Sequence, residues 1–84
     1  MMSPVGTDLA RRVEGMAAEI RGMSPPVAIA EAGKALALAA EVNTDPGVRG
    51  YALAFAAGVT ATWRGEDPAV AITDVYATII AARQ

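Results

Sequence analysis

The side chains able to do chemistry here are nine carboxylates, six arginines, one lysine and two tyrosines; histidine and cysteine are both absent. Losing histidine removes the commonest general base and metal ligand near neutral pH. Without cysteine as well, the usual zinc sites and thiol nucleophiles are excluded, and no disulfide staples the fold. A metal site would have to be built from carboxylates alone, and their spacing is against it. Glu31 and Glu41 stand ten residues apart, about 15 Å along a helix. Asp8, Glu14 and Glu19 share no tight face. Glu66 and Asp67 are adjacent, but Asp67 precedes a proline, as a helix cap does. Gly47, Gly50 and Gly58 do not match the glycine-rich loop that cradles phosphate. The inventory predicts a protein that is not an enzyme and needs no metal or cofactor.

Basic residues could instead meet phosphate. Arg11, Arg12 and Arg21 are the candidates, all on the first predicted helix. They would make the chain a DNA-binding regulator. Glu14 and Glu19 interrupt that patch, and the net charge is −2, whereas attraction to a phosphate backbone needs a basic stripe. The third helix carries Tyr, Phe, Ala and Gly where a recognition helix presents polar side chains to base edges. DNA binding is the lesser alternative on these grounds.

These groups sit on a chain of 84 residues, enough for one domain on the small side. Its hydrophobic fraction is 54%, and twenty of those residues are alanine. Alanine favours helix but buries little area. Abundant Ala with Arg in place of Lys is the coding bias of a high-GC genome, bacterial or phage. The N-terminus lacks the basic and apolar regions of a signal peptide. The longest uncharged stretch in a helix falls short of the ~20 apolar residues of a membrane span. A cytoplasmic location is expected, with no membrane partner.

Punctuation sets the elements. Ser24-Pro25, Asp45-Pro46 and Asp67-Pro68 each pair a capping residue with proline at the first helical position. The spacing predicts an all-α bundle of four short helices at about 7–22, 25–42, 46–64 and 68–83, forming a single domain over 1–84 with 1–6 as a flexible tail. Leu9, Val13, Met16, Ile20 and Met23 make an apolar seam on the first helix. Ile72, Val75, Tyr76, Ile79 and Ile80 do the same on the last. Connections near 22–24, 43–45 and 65–67 are very short, which makes successive helices neighbours in an up-down bundle or a more orthogonal array.

The third helix is the most informative. No charge falls between Arg49 and Arg64. Tyr51, Phe55, Val59 and Trp63 form a bulky row; Gly50, Ala54, Gly58 and Thr62 form a small one beside it. Glycine inside a helix costs ~1 kcal/mol relative to Ala, so the small row predicts close approach of another helix, in the same chain or a second copy. The aromatics, Tyr76 included, are expected in the core, or else around an apolar ligand for which no polar group is placed to hold a head group. On the second helix, Ile29, Ala32, Gly33, Leu36, Ala39 and Ala40 share the arc expected to face the core. Val27, Leu38 and Val42 then form an outward apolar strip.

These patterns predict a non-enzymatic protein-protein interaction module: a small adaptor, assembly factor or inhibitor, of bacterial or phage origin, acting as a homodimer or on another protein. Its expected interface residues are Val27, Leu38, Val42, Gly50, Ala54, Gly58, Tyr51, Phe55 and Trp63.

Overall fold

The computed structural model describes residues 4–82, with side chains from Asp8 onward. All four helices open on proline: α1 (Pro4–Arg21), α2 (Pro25–Ala39), α3 (Pro46–Trp63) and α4 (Pro68–Ala82). Proline at a helix start gives up only an N–H that had no intrahelical partner. No strand occurs among the described residues, and the expected all-α fold of four helices is the one observed. No described helix is long and apolar enough to cross a membrane. The first helix begins at Pro4, so residues 4–6 are helical and not tail; the rest of that expected tail, and Arg83 at the far end, lie outside the described residues.

The caps differ in how they work. Asp45 Oδ1 accepts from Gly47 N at 2.8 Å. Asp67 Oδ1 accepts from Ala69 N at 3.0 Å and from Arg21 Nη2 at 2.8 Å. Ser24 makes no side-chain cap bond; its carbonyl accepts from Ala28 N at 2.9 Å. Asp45→Ala and Asp67→Ala should therefore each lower stability by ~1 kcal/mol, while Ser24→Ala stays within ~0.5 kcal/mol. Urea denaturation of the three variants checks this order; an equal loss at Ser24 would contradict it.

The second helix stops at Ala39 and not at Val42. Thr44 Oγ1 donates to the Leu38 carbonyl at 2.7 Å, and Arg49 Nη2 donates to the Glu41 carbonyl at 3.0 Å. Both side chains offer the chain an alternative to another helical turn. Val42 is left in the connection, 92% exposed. At the other end of α3, Gly65 adopts φ +77° and serves as the left-handed stop.

Packing inverts part of the expected arrangement. α1 packs on α4 and α3, and α2 packs on α3, although only residues 22–24 join α1 to α2. The reason lies in the small row of α3. The seam of α1, with Val13, Met16, Ala17 and Ile20 buried, meets the core formed by Ala54, Phe55, Val59 and Ile72. A Cβ built on Gly58 would lie 2.6 Å from Ile20 Cδ1 and 3.0 Å from Ile72 Cδ1. One built on Gly50 would lie 3.0 Å from Ile79 Cδ1. The groove is thus filled by this chain's own α1 and α4.

The arc of α2 that turns inward is shifted from the expected one, keeping Ala32 and Ala39 but not Ile29 and Leu36. Ala28 is buried, and Ala32 and Ala35 pack against the core, with Ala39 half-buried beside them. Ile29 and Leu36 stay 44% and 51% exposed. An alanine stripe lets the axes of α2 and α3 approach closely, and that approach leaves no room beneath α2 for larger side chains.

Candidate interaction surfaces

Four of the nine expected interface residues are taken by the fold. Gly50, Ala54, Gly58 and Phe55 are buried between the chain's own helices, so they drop out as a surface for a partner. Their neighbours Tyr51 and Trp63 go the other way. Both were expected in the core; they are 49% and 72% exposed, because they close the two ends of the bulky row while Phe55 and Val59 fill its middle. Val27 and Leu38 are exposed as expected. They share a flank of α2, but Val42 does not continue it, since it lies beyond the helix end.

What remains open is an apolar surface centred on α2. Its large side chains stand on both flanks of the helix: Val27 and Leu38 on one, Ile29 and Leu36 on the other, 39–51% exposed. Ile29 shares a cavity of about 160 Å³ with Trp63, Val59 and Met23. Leu38 borders a groove of about 260 Å³ floored by Ala52 and Phe55, with Glu19, Glu31 and Lys34 around it. Lys34 Nζ and Glu31 Oε1 are 3.2 Å apart on the surface of α2. Periodicity alone did not find Ile29 and Leu36; the signal was the alanine stripe Ala28, Ala32, Ala35 and Ala39, which competes with them for the inner face.

The basic candidates do not assemble into a stripe. Arg21 is paired with Asp67 at 2.8 Å. Arg11 is exposed, and Arg12 lines an open cleft of about 680 Å³ with Asp8, Asp45, Tyr51, Tyr76 and Ile79. Burial raises the Tyr76 hydroxyl above its ordinary pKa, and the positive charge of Arg12 pulls it back. Burial also raises Tyr51, with Glu19 adding to the shift. The cleft is within the size range of ligand pockets, ~300–1,000 Å³, and polar groups do border it, which the sequence did not foretell. Asp8 and Asp45 balance Arg12, so its charge selects no ligand class. Among the described residues no three His, Cys, Asp or Glu side chains come together.

No protein-family model matches this chain, and no curated protein or solved structure is similar to it at a significant level.

Proposed function

We propose that this chain is a non-enzymatic protein-interaction module that acts as a homodimer. The observation that carries the reading is its surplus of surface. A folded monomer of 8.6 kDa exposes ~4,700 Å² on the usual size scaling, whereas this chain exposes 5632 Å². The difference, ~900 Å², is close to the ~800 Å² that each partner buries in a standard interface. Shape agrees with area. The radius of gyration is 12.8 Å, against ~11.8 Å for a compact chain of this length. The extents are 40 × 31 × 17 Å, so the molecule is a slab about two helix layers thick.

A slab of alanine-rich helices buries little apolar area per residue, and covering one face would correct that. Absence of histidine and cysteine supports a role by contact and not by catalysis: an adaptor, assembly factor or inhibitor. Light scattering after size exclusion, across a concentration series, should give twice the chain mass of 8.6 kDa. A constant monomer mass at every concentration would sink the homodimer. The cleft beside Arg12 favours a second reading, a carrier of a small apolar ligand; native mass spectrometry of protein as purified should then retain a bound small molecule.

A further inference from the structure

The second helix reads alike from either end. From Val27 to Leu38 the sequence is Val-Ala-Ile-Ala-Glu-Ala, then Gly-Lys-Ala-Leu-Ala-Leu. About the point between Ala32 and Gly33, Val27 mirrors Leu38, Ile29 mirrors Leu36, and Glu31 mirrors Lys34. The apolar positions keep their character under this reversal, while the charged pair changes sign. Sequence symmetry of this kind matters only if the three-dimensional placement respects it. A two-fold axis across a helix pair carries each residue to its mate at the same height and on the same flank. At 3.6 residues per turn, Ile29 and Leu36 fall on one flank of the outward face, and Val27, Glu31, Lys34 and Leu38 fall on the other. Every mirrored pair therefore satisfies the flank condition. All four large apolar members are exposed, because the alanine stripe holds the opposite side of the helix against α3.

We propose that α2 packs antiparallel against α2 of a second copy, about a two-fold axis between Ala32 and Gly33. Val27 then meets Leu38 of the second copy, Ile29 meets its Leu36, and Glu31 lies beside its Lys34. This rests on the homodimer reading and adds the surface, direction and register. Charge selects the direction. A parallel pair would turn the flank of each copy that carries Glu31 and Lys34 toward the apolar Ile29–Leu36 flank of the other, stripping water from charges without pairing them; the antiparallel pair alternates the four charges on one flank. The existing contact of Glu31 with Lys34 inside one chain, at 3.2 Å, extends into that alternation. Near the axis, nothing lies within 4 Å of the position a Gly33 Cβ would take, so a second helix can approach there. Trp63, which shares a cavity with Ile29, widens the same surface.

The chain has no cysteine, so single engineered thiols report the register directly. Val27→Cys and Leu38→Cys chains, mixed and oxidised mildly, should form a covalent dimer containing one of each. Either chain alone should stay uncrosslinked. In this register two copies of position 27 are about 16 Å apart along the axis, far beyond the ~4.4–6.8 Å between Cα atoms in a disulfide. A mixture of Val27→Cys with Ala81→Cys, exposed on α4, is the control for collision. Cross-linking of each variant by itself, or equal cross-linking in the control, would overturn the antiparallel register. A dimer by light scattering with no cross-link in the mixture would overturn it while leaving the homodimer intact. A monomer by light scattering with no cross-link would overturn both.

Discussion

Gly58→Leu should destabilise the fold by at least ~3 kcal/mol, at or beyond the top of the range for overpacked cores. For a domain of this size that is a fall in melting temperature of ~12 °C or more. A leucine adds four heavy atoms where the first of them, Cβ, would already sit 2.6 Å from Ile20 Cδ1 and 3.0 Å from Ile72 Cγ1. Ile72 is 0% exposed and Ile20 2%; Ile20 borders the cavity of about 160 Å³ beside Trp63 and can shift only toward it, and among the described residues no cavity adjoins Ile72. Ala81→Leu, the same kind of enlargement on an exposed position of α4, should stay within ~0.5 kcal/mol. Thermal unfolding of the two variants checks the contrast, and similar midpoints would contradict the close contact at Gly58. The milder Gly58→Ala sharpens the test. It gains ~1 kcal/mol of helix propensity and meets the same Ile20 methyl. Ile20→Val removes that methyl, so the double variant should be more stable than the sum of the single effects implies.

Ile72→Ala should remove ~2–5 kcal/mol. That is a large share of the ~4–13 kcal/mol usual for 84 residues. Ile72 has no exposed surface and stands where α4 meets α3 at Gly58. The loss combines transfer of three carbons from the core with the cavity they leave. Gly58 lines that cavity without a side chain to relax into it, which puts the cost toward the upper end. Guanidinium unfolding measures the change, and a loss below ~1 kcal/mol would mean that the site collapses freely. Adding Gly58→Ala to Ile72→Ala should recover part of the loss, since the new methyl then enters space that Ile72 has vacated.

The proposed dimer face lies in a different part of the molecule from these core effects. Val27, Ile29, Leu36 and Leu38 contribute little to the core of one chain. Polar substitutions there should weaken self-association far more than they change unfolding of the isolated chain. Comparing unfolding midpoints with dimer mass across such variants separates the two roles.

The sequence by itself determined the class of fold, the number of helices and where the last three begin; the first starts at Pro4, ahead of the expected residue 7. Those features are local: a capping carboxylate and proline constrain only their own turn, and the 3.6-residue period of α1 and α4 shows through because large apolar residues mark a single face. It also determined that α3 must be approached closely, since Gly50 and Gly58 weaken a helix that nothing else requires them to weaken. Only the tertiary structure decided who approaches. The seam of α1 lies against the small row of α3 and takes the space that a second copy would have needed. Likewise, the inward face of α2 went to alanine and not to Ile29 and Leu36. Hydrophobicity ranks the larger residues first, but the distance between two helix axes is set by the smallest side chains that can line the contact. The end of α2 was undecidable locally for a related reason. Ala40, Glu41 and Val42 could all continue a helix; Arg49, on the next element, claims the Glu41 carbonyl at 3.0 Å, and a bond between elements cannot be read from the residues of one.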